Sequence, residues 1–454
     1  MKKWYKLPNP SLRVLISLEW IFTIWGGEYI LGNLRAILIA GVGVFAAFGG
    51  LLGGSRVGPV VIWGTADADT MSALIQTLRP SDKALQDVSY VYKDPLTYDQ
   101  TLLNAMASGQ GPDLFLLSQN DLQSFSNKIA LIPYSAVSQA QFTSSFIDEG
   151  SLFLTPQGSF ALPFSIDPLV MYWNRDLFAS AGLAQAPVYW NDFLTVAPKI
   201  TSFSGGSTVA RSAVALGEWQ NVTNAKAILS TLFLQTGDRI VARTADGTPA
   251  PVFGQTPSQA ASNPAESALR FYTEFANPGK TTYSWNAALA QSSDAFAAGD
   301  LAVYFGFASE YAALVARNPN LHFSVSLMPQ LQGNAEHLTF GTITGLAISR
   351  SATNPTGALA VAQALTSQPA IAALAGSVFL PPVRRDVVVD SSASAAMQTF
   401  IQSSLIAQGW LDPAPAQTDA IFKTMIESVV SGSQLPSGAV SDGSQALQLL
   451  FHSQ

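Results

Sequence analysis

Residues 60–74 read VVIWGTADADTMSAL. The run Val60–Trp63 is made of strand-favouring side chains and ends at the loop Gly64–Asp69, and Thr70–Leu78 carries the spacing of an amphipathic helix. Val88–Tyr92 reads as a second strand. Tyr98–Ala107 reads as a helix stopped by the turn Ser108–Pro112, and Leu114–Leu117 is a third strand ending at Ser118–Asp121. A β-α-β-α-β order implies a mainly parallel sheet with helices on its faces. In such sheets ligands sit at the carboxyl ends of the strands, here Gly64–Asp67, Lys93–Asp94 and Ser118–Asp121. Strands at Val170–Trp173, Ala302–Phe305 and Leu346–Ser349 follow, with helices near Trp190–Pro198, Ala225–Thr236 and Ala265–Phe275, then a helical C-terminal third.

A chain of 454 residues is too long for one core and predicts two lobes. Charged residues make up 12% of it, about half the usual ~25%, so no strong field is available for nucleic acid. The charge is unevenly placed. Six Lys or Arg against Glu19 and Glu28 give residues 1–56 a net +4, which leaves −11 on the remainder of a chain whose total is −7. The chain has no cysteine, which removes disulfides, thiolate metal sites, a cysteine nucleophile and a lipid-bearing cysteine anchor.

From Ala36 to Ser55 the chain reads AILIAGVGVFAAFGGLLGGS, twenty uncharged residues or about 30 Å of helix, the thickness of a bilayer core. Arg35 and the basic residues before it place residues 1–35 in the cytoplasm and the body outside. The competing reading, a cleaved signal peptide, meets a 35-residue leader and no A-x-A pattern after the apolar run. Val14–Leu31 is apolar but interrupted by Glu19 and Glu28, which suits an interfacial helix better than a second span.

Several blocks in order resemble the extracellular solute-binding proteins of ABC importers, in the branch that includes maltose-binding protein. They are residues 60–74, YDQTLLNAMASGQGPDLFLLSQNDL (98–122), ALPFSIDPLVMYWNRDLFASAGL (161–183) and YWNDFLTVAPKIT (189–201), then FAAGDLAVYFGFASEY (296–311), FGTITGLAISRSATNPTGALAVAQALTS (340–367) and FLPPVRRDV (379–387). The resemblance implies an α/β, two-lobed periplasmic-binding-protein-like fold (type II, Venus-flytrap), joined here to an N-terminal transmembrane helix. It implies lobe one over 58–165 and 307–344 and lobe two over 166–306 and 345–454, with chain crossings at the third, fifth and sixth blocks. It further implies a small solute, most simply a sugar, held between the lobes, ABC permease subunits as partners, and no cofactor. A ligand-sensing receptor acting through a membrane partner is the alternative.

On that resemblance the ligand-binding candidates are Thr65, Asp67, Ser118, Gln119, Asn120, Asp167, Trp219, Phe307, Thr342 and Trp410. Carboxylates, amides and hydroxyls pair with sugar hydroxyls, and aromatic faces cover the apolar faces of sugar rings. Each has a structural competitor. Asp67 or Asp69 could cap the following helix, the Ser118–Asn120 group could build its loop, Asp167 precedes Pro168 in a turn-like pair, and Thr342 and its neighbour Thr344 could be hinge residues. Tyr172 and Trp173 lie on a strand and read as core.

Nothing points to catalysis or a metal. His322, His337 and His452 are far apart, and no nucleophile elbow, phosphate loop or dinucleotide fingerprint occurs. The anchor makes the first prediction. The protein should resist carbonate extraction, and protease added to intact cells should digest the body; release of a soluble form lacking about 55 residues would instead show a cleaved leader.

Overall fold

A computed structural model describes residues 57–206, 208–244, 247–255, 263–389 and 392–452. The expected span 36–55, the segment 1–35 and the apolar stretch 14–31 lie outside the described residues. Among the described residues no single helix is long and apolar enough to cross a membrane.

Strand β1 (Val60–Gly64) pairs in parallel with β2 (Val88–Tyr92) and β3 (Leu114–Ser118), as the β-α-β-α-β pattern requires. Helices α1 (Ala68–Leu78) and α2 (Tyr98–Ala107) connect them. Two long strands follow in sequence order, β4 (Ala161–Asn174) and, much later, β7 (Thr339–Ser349). Between them lie β5 (Thr208–Val214) and β6 (Leu301–Phe307), which pair in parallel with each other. The hydrogen-bonded path runs β2-β1-β3-β7-β4-β6-β5, so β7 and β4 sit in the middle and pair antiparallel.

Two hydrophobic cores flank that pair. The first gathers Val60, Ile62, Leu117, Phe164, Ile166, Ile343, Leu346, Val361 and Leu374. The second gathers Leu169, Tyr172, Trp190, Phe233, Leu269, Val303, Phe340, Phe400, Phe422 and Leu447. β4 therefore passes from the first core to the second between Ile166 and Leu169, and β7 passes back between Phe340 and Ile343. Gly345 makes the central pairing possible, since a Cβ there would lie 2.7 Å from Ala161 Cβ and 2.9 Å from the Phe153 ring.

This packing corrects the expected division of the chain. Residues 307–344 were assigned to lobe one, yet Leu314, Met328 and Phe340 lie in the second core. Residues 345–454 are expected in lobe two, yet Leu346, Val361, Leu365, Leu374 and Val383 lie in the first core; Phe379 and Leu380 pack against the second, which Ala396, Phe400, Phe422 and Leu447 join, while Ala407 and Leu411 lie in the first. The reason is that block 296–311 is no crossing. Its strand β6 pairs with the second-lobe half of β4 and with β5.

The Pro-Asp turn before β3 fastens the first lobe. Asp113 is 4% exposed, and its carboxylate accepts hydrogen bonds from Val61 N (3.0 Å), Thr353 N (2.8 Å), Thr353 Oγ1 (2.9 Å) and Asn354 N (3.0 Å). Strand β1 and the entry to helix α3 (Pro355–Leu365) are thus tied by one side chain. Asp113→Ala would leave those four donors unpaired at once and should destabilise the protein by about 3 kcal/mol, read as a lowered urea midpoint at unchanged slope.

Candidate solute-binding cleft

The sheet register assembles the floor of the cleft. Across β3, β7 and β4, Thr344 lies opposite Ser118 on one side and Ser165 on the other, and Thr342 lies opposite Asp167. Residues directly opposed in a sheet project to the same face. The intervening pair, Ile343 and Ile166, is fully buried in the first core. Ser118, Thr344, Ser165, Thr342 and Asp167 therefore share the other face, where all are partly exposed. The result is a polar floor of hydroxyls and one carboxylate at the seam between lobes.

The first lobe adds the ends of β1 and β3, which are neighbours. Thr65 is partly exposed in the loop after β1, and Asp67 is exposed. The competing structural role of Asp67 is real: its Oδ1 accepts Thr70 N and Thr70 Oγ1, both at 2.8 Å, capping α1. Those bonds hold its carboxyl below the usual range. Ser118 Oγ accepts from Asn120 N at 3.2 Å, and Asn120 remains partly exposed.

The second lobe adds the ends of β5 and β6, also neighbours. Trp219 follows β5 and Phe307 closes β6; both are partly exposed and rest on the second core. Tyr172 holds this edge by donating its hydroxyl to Phe307 O at 2.7 Å. Asp167 joins the edge to the floor, because its Oδ1 accepts Ser309 N at 3.0 Å. Burial raises the Asp167 carboxyl to about 6 against the pull of Ser309, and the Glu310 charge adds to the rise. Glu310 itself is held by Phe307 N and Asn224 Nδ2, each at 2.8 Å, and by the Tyr304 hydroxyl.

Two expected ligand residues are not on this surface. Gln119 is fully buried, its Nε2 donating to Gly341 O (3.0 Å) and its Oε1 accepting from Ile343 N (2.9 Å). Its amide is spent on the edge of β7. Trp410 is 4% exposed and stacks on Phe422 inside the second core, with Nε1 donating to Ser230 Oγ at 3.4 Å. Sequence reasoning passed over Ser165, whose place on the floor follows only from its register with Thr344. It named the strand end Lys93–Asp94 without singling out the Lys93 ammonium, which lies 3.8 Å over the Trp63 ring.

Among curated proteins, binding proteins of Brucella abortus (strain 2308) and Brucella suis biovar 1 (strain 1330) are 27% identical to this chain over 110 residues, 23% of it. The match spans 26% of the length of each of these relatives. Solved structures align far more widely. The cyclic alpha-maltosyl-1,6-maltose binding protein of Arthrobacter globiformis superposes with a TM-score of 0.72 at 17% identity, covering 87% of this chain and 100% of that one. UgpB of Mycobacterium tuberculosis, in complex with glycerophosphocholine, gives 0.68 at 18% identity over 88% and 100%. An ABC transporter solute-binding protein of Thermotoga lettingae, bound with alpha-D-tagatose, gives 0.65 at 20% over 87% and 99%. At these identities the structural likeness establishes the two-lobed α/β fold. The family model described as bacterial extracellular solute-binding protein matches residues 86–372, more than half of the sequence. The chain belongs to that family, whose members bind solutes and are not enzymes.

Proposed function

We propose that this protein captures a neutral, hydroxylated solute, a sugar or oligosaccharide, between its lobes and hands it to the permease of an ABC importer. The N-terminal segment would tether it to the membrane, with the lobes on the outer side. The observation that carries the reading is the polar floor Ser118, Thr344, Ser165, Thr342 and Asp167, with Trp219 and Phe307 partly exposed at the ends of the neighbouring strands β5 and β6. Hydroxyls and a carboxylate pair with sugar hydroxyls, and partly exposed rings cover apolar C–H faces. Similar proteins crystallised with tagatose and named for maltosyl-maltose support the same class of ligand.

Both lobes contribute, so closure has to bring contacts that neither lobe makes alone. The direct test adds solutes one at a time and follows melting temperature: mono-, di- and oligosaccharides, polyols and glycerophosphocholine. A carbohydrate should raise the melting temperature with concentration. Against that solute Trp219→Ala should weaken binding roughly 10- to 100-fold, and Asp67→Asn, which can still cap α1, by a similar factor. If none of the carbohydrates or polyols shifts the folded wild type, the solute class is wrong; if both variants bind as tightly as wild type, the placement of the site is wrong.

Asp167 offers an independent check. Its folded-state value lies above the ordinary carboxylate value of 3.8, so it holds its proton until about pH 6 and is ionised above that. The fold loses the associated stabilisation as pH rises from about 4 to 6. Carboxyl carbon NMR should show a midpoint near 6, and Glu310→Gln should lower it by deleting the neighbouring like charge.

A further inference from the structure

Away from the open face of the floor, a buried carboxyl joins separate stretches of chain across the seam. Glu149 lies in the 3-10 turn Asp148–Phe153 that precedes β4, and is 3% exposed. Its Oε2 accepts the Gly409 amide at 2.7 Å, while its Oε1 has no partner of ordinary hydrogen-bond geometry. Gly409 follows Ala407–Gln408, which pairs in parallel with Thr339 and Phe340 at the start of β7. Beside them Gln119 grips β7 through Gly341 O and Ile343 N. The space is filled: a Cβ on Gly409 would lie 2.1 Å from Gln119 Nε2, 2.5 Å from Glu149 Oε1 and 2.9 Å from Gly341 O.

The bonds lie at the seam, where the chain changes core. Glu149 and Gln119 stand among first-core residues, between Ile147 and Phe153 and between Leu117 and Leu122. Gly341 lies where β7 passes from Phe340 of the second core to Ile343 of the first, and Gly409 lies between Ala407 and Leu411 of the first core, next to Trp410 of the second. A rotation of one lobe about β4 and β7 bends the chain at these changes of core, which the Glu149–Gly409 and Gln119–Gly341 contacts brace. We propose that Glu149 is a positioning residue for solute capture, which with Gln119 and Gly409 sets the angle between the lobes and hence how far the cleft stands open. The inference rests on the cleft being the solute site.

Burial pushes the Glu149 carboxyl up to about 8, against the Gly409 amide and the Gln119 side chain. Charged neighbours are engaged elsewhere. On its own turn Asp148 is exposed and paired with Arg385. On β4, Asp167 accepts from Ser309. Beyond Gln119, Asp121 is coupled to Asp99, and beyond Gly409, Asp412 is paired with Lys226. β7, Ala407–Gln408 and the helix Gln139–Ser145 carry no charged side chain.

The test needs no solute, so it stands whatever the outcome of the solute screen. The chain has no cysteine, so Thr77→Cys on α1 and Ala313→Cys on helix Tyr311–Arg317, both exposed and in different lobes, take one spin label each in the full chain. Interlobe distances are then measured by pulsed electron resonance from pH 5 to 9.5. An arrangement in which Glu149 meets water titrates near its ordinary 4.5, so the buried arrangement holds the extra proton between that value and about 8. Its population relative to the opened one should fall by up to tenfold per pH unit across that window and level off above it. Glu149→Gln should hold the low-pH distribution at every pH, and Gly409→Ala should displace the distribution at every pH, with circular dichroism confirming that each variant is folded. A Glu149→Gln protein that keeps the wild-type pH response, or a folded Gly409→Ala protein with wild-type distances, overturns the proposal.

Discussion

The antiparallel pairing of β4 with β7 across the seam is the constraint on which the rest of the molecule depends. Each strand is shared between two hydrophobic cores, and each changes core within three residues. The register Thr342 opposite Asp167 and Ile343 opposite Ile166 then falls at the seam. A slip of one residue would turn Asp167 and Thr342 inward and Ile166 and Ile343 outward. Burying a carboxylate and a hydroxyl without partners costs several kcal/mol, and exposing two isoleucines forfeits about 2 kcal/mol each. The apolar patterning of both cores therefore holds the polar floor in place.

The seam also governs the charge of its acids. Asp121 is raised to about 7 by burial and by the charges of Asp99 and Asp412, Asp167 to about 6 and Glu149 to about 8. Nearby cations give little relief. Lys226 is bound to Asp412 and Asp419, each at 2.7 Å, and Lys93 is stacked over Trp63. Near neutral pH the floor thus holds the Asp167 carboxyl close to its titration point, able to accept or donate according to its proton. That matches hydroxyl groups, which themselves do both, better than a fixed anion, which would meet only more negative charge.

Much of this was legible along the chain because it is local. The β1-α1 unit announces itself by four strand-formers, a polar loop and helical spacing, and Asp67 by its position ahead of α1. The division into lobes was not local and was misread. Block 296–311 has the composition of a buried strand on either side of the seam, and only the pairing of β6 with β4 and β5 assigns it to the second lobe. The same holds for residues singled out by type alone. Gln119 stands between two partly exposed cleft residues, Ser118 and Asn120, yet its own side chain turns to the backbone of β7. Trp410 follows Gly409 at the seam, but its indole completes the stack on Phe422. Conversely Ser165 looks like an ordinary strand serine until register sets it beside Thr344.

Asp113 and Asp67 show how burial, rather than residue type, separates an acid consumed by the fold from one left open to solvent. Both stand at a strand end, and both accept from backbone amides. Asp113 is enclosed, and its partners come from β1 and from the distant turn before α3, so its carboxylate is consumed by the fold. Asp67 spends Oδ1 on Thr70 while the residue stands exposed. A carboxylate has about four acceptor positions, so capping α1 and receiving solute hydroxyls are compatible. The cap does more than leave room. By holding the Asp67 carboxyl below the usual range it keeps this group ionised where Asp167 and Asp121 are still taking up protons. A hydroxyl donated to Asp67 therefore meets a full negative charge in mildly acid surroundings as well as neutral ones, and that bond is the charge-assisted kind.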